Sequence, residues 1–275
     1  MRNLLHANFS RLWRDKVFWG EVVLLFVTGV WCIGMMYRER VQYGWVHPFD
    51  EQLFFYTLLV GCFLSVFCSL FFGIEYSDGT LRNKLIVGHT RSAIYCSGLL
   101  ACVSEALLTA FAFLLPYCVL GAFLIDTQSK PTGQILLHFC ISILLLIAFT
   151  SLYFMLTMLI EKRSTAAVFC ILFFFGMLLV AAVTKSRLDE PEMVTGYSLT
   201  INGFEQTEPE PNPLYLQPFT RAIFQFFFDL LPTGQVLQLT FFSVLHPLRL
   251  ILCSVGITAA STALGLFCFG KKDLK

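Results

Sequence analysis

Six apolar runs, each long enough to cross a bilayer, constrain this chain more than any catalytic motif does. They cover residues 18–37, 52–73, 93–125, 134–160, 165–184 and 248–269. About 20 apolar residues span the hydrocarbon of a membrane, and a segment in lipid must be helical because it has to satisfy its own backbone hydrogen bonds. Composition agrees: only 13% of residues are charged, against about 25% in a soluble domain. The expected fold is an all-α polytopic membrane protein. The third run exceeds what a bilayer needs at a rise of about 1.5 Å per residue, so it must tilt, kink or project, and Pro116 inside it is a natural kink point.

Charge bias gives an orientation. With the N-terminus inside, 12 of the 19 Lys and Arg fall in inside segments and seven in outside ones. The inside segments are also shorter, so both termini are expected in the cytoplasm. The acids Asp189, Glu190, Glu192, Glu205, Glu208 and Glu210 fall outside, which agrees but weighs little, since acids set topology weakly. The first run begins too late for a secretory signal peptide, and no small-residue cleavage site follows it. All ten cysteines lie within the apolar runs, which argues for small hydrophobes rather than a disulfide framework or metal ligands.

Three polar-facing regions remain. In residues 1–17, Leu4, Leu5, Phe9, Leu12 and Trp13 share one half of a helical wheel, with Arg11 and Arg14 on the other. That pattern reads as an interfacial helix on the cytoplasmic leaflet. The loop 74–92 holds Ser77 or Asp78 as a helix cap, Leu81 and Leu85 one turn apart beside Ile86, the basic Arg82 and Lys84, and Gly88 as a stop. It reads as a short cytoplasmic helix whose apolar ridge is either a docking surface or folded onto the membrane. Residues 185–247 lie outside: 185–213 form a polar loop rich in Pro and Glu, and two apolar segments, 219–231 and 233–246, too short to span, follow it. They read as a helical hairpin dipping into the outer leaflet, with Thr233 capping its second arm. A single broken seventh span is the alternative.

An interfacial N-terminal helix, six spans, a cytoplasmic helix between the second and third and a hairpin before the sixth resemble the type-two ATP-binding-cassette (ABC) exporter permeases. Glu75-Tyr76-Ser77-Asp78-Gly79-Thr80-Leu81 is similar to that family's coupling-helix region, in which an acidic residue precedes a Gly-Thr-Leu turn. Many relatives continue with an acidic residue, where this chain has Arg82 and Lys84. The resemblance implies a permease subunit, paired with a second copy or a paralogue, resting on separate ATPase subunits that use ATP and Mg. Glu75, Asp78, Gly79, Thr80, Leu81, Arg82, Lys84, Leu85, His89 and Arg91 would carry the coupling. The chain has no Gly-x4-Gly-Lys-Ser/Thr phosphate loop, so it is expected to bind no nucleotide or other cofactor and not to be an enzyme itself. Membrane lipid is an expected partner and nucleic acid is not.

For a substrate path, Phe63, Phe67 and Phe71 form one stripe and Phe169 and Phe173 another. The resemblance implies that these two spans line the central cavity, which would suit an apolar or amphipathic cargo such as an antimicrobial peptide, a lipid or a drug. The stripes equally fit lipid-facing or packing positions. Glu105 lies well inside the third span, where a charge costs roughly 2.5–3.5 kcal/mol on insertion scales, so it is either a protonated structural group or a cargo contact. Glu21 is expected to pair with a basic residue of the N-terminal helix or the loop 74–92. The pairs Gly256/Ala260 and Ser261/Gly265 allow close packing of the last span. The five histidines are scattered, so no metal is assigned. A stand-alone channel or secondary transporter is the competing reading. An intramembrane enzyme is another, although no paired polar groups are evident for it.

Overall fold

The computed structural model describes residues 1–125, 129–160, 162–195, 197–200, 203–206 and 209–272, with the backbone alone for 197–200 and 203–206. Glu208, the tail residues 273–275 and the side chain of Ser77 lie outside the described set. Among the described residues ten helices follow one another: α1 (Arg2–Leu12), α2 (Lys16–Tyr43), α3 (Tyr56–Ser77), α4 (Thr80–Ile86), α5 (Arg91–Leu124), α6 (Thr132–Leu159), α7 (Arg163–Leu188), α8 (Pro218–Leu230), α9 (Pro232–Thr240) and α10 (Pro247–Lys271). Six of them, α2, α3, α5, α6, α7 and α10, are long and apolar enough to cross a membrane.

Local chemistry sets the helix boundaries. Asp15 Oδ1 accepts from the backbone N–H groups of Val17 and Phe18, at 2.7 and 3.4 Å, and so starts α2. Thr90 Oγ1 accepts from Ala93 N–H at the start of α5. The helices α8, α9 and α10 each begin on a proline, whose missing N–H is an unpaired donor position anyway. The prolines that punctuate residues 218–247 are thus helix starts.

Packing is organised around α3 and α6, the most enclosed of the long helices. α3 packs on α5, α6 and α7, while α10 lies along α6 and α2 along α5. Aromatic edges lock the centre: Phe154 meets Phe72 at 4.8 Å and Tyr95 at 5.0 Å. On α10, Ser261 bonds Ser151 of α6 at 2.8 Å and Gly265 abuts the Tyr95 ring, so this pair packs within the chain, whereas Gly256 faces open space.

α2 and α5 run parallel in a fixed register. Arg40 Nη1 reaches the carbonyl of Leu124, 84 residues away, at 3.2 Å. The same offset sets Gly29 against Phe113, whose carbonyl lies where a side chain at Gly29 would begin. Gly29 therefore permits this close approach beside Pro116.

Two expectations change. The outer loop is not simply irregular: α7 runs on to Leu188, and an antiparallel hairpin follows, pairing Met193–Val194 with Glu210–Pro211 and Tyr197–Thr200 with Gly203–Gln206. The fold is thus helical with one small β-ladder region. The second arm of the short-helix pair ends at Thr240, well before 246. There Phe242 takes φ +48°, and Ser243 N–H closes on the Gln238 carbonyl at 2.9 Å, stopping the helix.

Candidate functional site

Both chain ends meet on one face of the bundle, and there the loop between α3 and α5 is built into a compact joint. α3 ends at Ser77, and only Asp78 and Gly79 separate it from α4. Gly79 sits at φ +65° and turns the chain directly into the next helix. The N-cap position itself is Gly79, which has no side chain to cap with; the expected caps Ser77 and Asp78 precede it, and the side chain of Ser77 lies outside the described residues. Thr80 Oγ1 instead donates back to the Glu75 carbonyl at 3.2 Å. At the other end Gly88, φ +96°, donates to the Leu85 carbonyl while His89 N–H reaches the Lys84 carbonyl. This paired closure terminates a helix after its last turn, as the sequence suggested for Gly88.

The expected apolar ridge divides. Leu81 is buried and Leu85 packs against the core, because α4 lies flat against the ends of α3 and α5. The residues presented outward are Ile86 and Val87, 72% and 76% exposed, together with the exposed Arg82. The sequence signal for this pair was their position in the last turn before Gly88, where the helix leaves the core.

An ion network ties the joint to the rest of the bundle. Glu75 is 1% exposed and accepts from Lys84 Nζ at 2.7 and 2.8 Å and from the Arg11 guanidinium of α1. That guanidinium also lies 3.9 Å over the ring of Phe71. Asn8 of α1 donates to Ser97 of α5 at 3.2 Å. α1 is therefore seated by Leu4, Asn8 and Leu12, with Trp13 left exposed. On the far side of the joint, Arg91 donates to the Phe269 carbonyl at 2.9 Å and to that of Lys272. Lys272 reaches the carbonyls of Met158 and Leu159, and Tyr76 donates to the Met158 carbonyl at 2.7 Å. The ends of α1, α3, α5, α6 and α10 are thus all fastened around α4.

The two Phe stripes differ in their surroundings, and the first reaches the joint through Phe71 beneath Arg11. Phe67 and Phe71 are buried and stacked at 5.0 Å, and Phe63 is half-buried. Phe169 is exposed and stacks on half-buried Phe173 at 6.2 Å. An apolar cavity of about 480 Å3 lies elsewhere, between α5 and α6, lined by Phe49, Phe54, Phe111, Leu115, Ile135 and Phe139.

Glu21 and Glu105 are brought together. The sequence reading expected a basic partner for Glu21, but the α2–α5 register, with its offset of 84, sets it opposite Glu105, and the two carboxyls are hydrogen-bond partners. Arg11 of α1 is committed to Glu75.

A second polar cluster was missed entirely. Asp229 of α8 is fully buried and accepts from Gln225, Gln238 and Arg249 at 2.8, 2.9 and 3.0 Å. Gln235 of α9 donates to the Asp229 carbonyl and accepts from Ser254 of α10 at 2.7 Å. Thr233 follows Pro232 inside α9 and does not cap it. The tetrad at 232–235 instead lets α9 pass tightly over α8, with Gly234 against the Phe228 carbonyl.

Residues 4–181 match the model of a family described as ABC-2 family transporter protein. The match spans α1 through most of α7 and includes the whole α4 joint. No curated protein matches the chain.

Proposed function

The chain belongs to the ABC-2 transporter family, whose members are membrane subunits that pair with ABC ATPases, and from that membership we propose that it is the permease half-site of an ATP-driven exporter. In this reading both termini are cytoplasmic, and α1 lies along the inner leaflet with Trp13 and Arg14 at the headgroups. The helices α8 and α9 form a hairpin in the outer leaflet. A second copy or a paralogous permease completes the pathway, and ATP and Mg are used by the partner subunits alone. The cargo is apolar or amphipathic, a peptide, lipid or drug, moved by alternating access across a bacterial plasma membrane.

The observation that carries this reading is the α4 joint. Ile86 and Val87 offer an apolar contact beside the basic Arg82, while Lys84, Glu75 and Arg11 connect the same helix to α3 and α1. A push on Ile86 and Val87 is therefore delivered to the ends of several spans at once, which differential contact with two states requires. Leu81 holds α4 in place and is not part of the docking surface.

The test is co-purification with an ABC ATPase, sought first in the reading frame next to that of this chain. An Ile86→Asp/Val87→Asp variant is expected to fold normally, since both side chains are exposed, and to lose the ATPase from the complex. A complex that survives this change with transport-linked ATP hydrolysis intact would sink the α4 docking surface. A wild-type chain that retains no ATPase would sink the exporter reading itself.

A further inference from the structure

The α2–α5 seam contains a pair of carboxyl groups for which the described residues supply no counter-charge. Glu21 and Glu105 are 7% and 1% exposed and are hydrogen-bond partners. The Oε2 atom of each is buried and receives no hydrogen bond from any donor among the described residues. The titratable groups facing the pair are Asp15 from the turn before α2, Cys62 and Cys68 of α3, and Cys102 of α5. None of these is cationic. Thr109, whose hydroxyl donates to the backbone carbonyls of Glu105 and Ala106 and lies beside the Glu105 carboxyl, is neutral and brings no counter-charge.

Two carboxylates facing each other in an apolar seam repel, and each is deprived of water. A hydrogen bond between two carboxyl groups exists only when one of them carries a proton. Ionisable groups within membrane spans are rare, pair with one another or with backbone carbonyls, and mark substrate, ion or proton sites. We propose that Glu21 and Glu105 form a proton-binding site inside the membrane domain, one proton bridging the two carboxyls and holding α2 against α5. Release of that proton leaves two negative charges in contact across the seam, and the helices separate. The seam is therefore intact at low pH and weakens as pH rises.

The experiment uses the full chain in lipid nanodiscs and a hydrophobic carbodiimide, which adds across its N=C bond to a protonated carboxyl and leaves ionised ones untouched. Adducts are mapped by peptide mass. Glu75 is the internal control, because it is equally buried but paired with Arg11 and Lys84. The expected result is an adduct on Glu21 or Glu105, none on Glu75, and loss of the adduct as the medium is made alkaline. An infrared carbonyl band of a protonated carboxyl is expected in the wild type and absent from Glu21→Gln/Glu105→Gln. No adduct on either residue and no such band would overturn the proposal, as would labelling of Glu75 to the same extent. If the double variant does not fold, the wild-type labelling pattern decides alone.

Discussion

Replacing Arg11 and Lys84 together by Met is expected to destabilise the chain by about 3–5 kcal/mol, the cost of leaving a buried charge without partners. Glu75 is 1% exposed, and these two cations are its ion-pair partners among the described residues. Each single replacement is expected to cost less, about 1.5–3 kcal/mol for a charge-assisted hydrogen bond. Values at the low end are expected, because the side chains of Arg11 and Lys84 are themselves 33% and 19% exposed and screened by water. The effects should therefore be non-additive, the double variant exceeding the sum of the singles, as happens when residues share one partner. The measurement is apparent melting temperature in detergent across a double-mutant cycle. A third change distinguishes charge burial from lost packing: Glu75→Gln in the Arg11/Lys84 double background removes the orphaned charge and should recover much of the loss. If Glu75→Gln recovers nothing in that background, lost packing, including the Arg11 stack on Phe71, outweighs the stranded charge and the ion network is secondary.

The sequence resolved what depends on composition along one helix and missed what depends on register between helices. Each long helix lies close to its apolar run, since span length and hydrophobicity are local quantities. The stop at Gly88 was equally readable, because a positive φ after a helical turn has a residue preference of its own. The partner of Glu21 was not readable. It is set by the shared offset between α2 and α5, which rests on the fit of Gly29 against Phe113, and nothing in either helix alone encodes that fit. The split between buried Leu81 and exposed Ile86 failed for a related reason: spacing along α4 gives its apolar arc, but which part of the arc meets the bundle depends on the tight Gly79 turn. Asp229 was passed over because it sits among phenylalanines in a segment read only as an apolar arm dipping into the outer leaflet.

Asp229 carries the second large effect. An Asp229→Leu variant should detach the α8–α9 unit from α10 without unfolding the long helices. Three donors converge on this carboxylate, and one of them, Gln238, is fully buried. Removing the acceptor leaves that amide unsatisfied, at about 1–3 kcal/mol. It also releases Arg249, which is 38% exposed and can turn outward, so the arginine adds little to the loss. The converse change, Arg249→Met, leaves Asp229 charged, fully buried and held by amides alone, and breaking a buried pair in this way costs about 3–5 kcal/mol. Arg249→Met is therefore expected to be the more damaging of the two, although Asp229 is the more deeply buried residue. An Asp229→Asn/Arg249→Met double variant should recover stability relative to Arg249→Met, because it removes the stranded charge while keeping an oxygen to accept from Gln225 or Gln238. Hydrogen exchange over residues 218–240 reports the outcome directly. Faster exchange confined to that segment, greatest in Arg249→Met and reduced again in the double variant, is the expected pattern. Exchange that rises equally along α10 and α6 would mean that the cluster supports the whole outer half of the bundle rather than the hairpin alone.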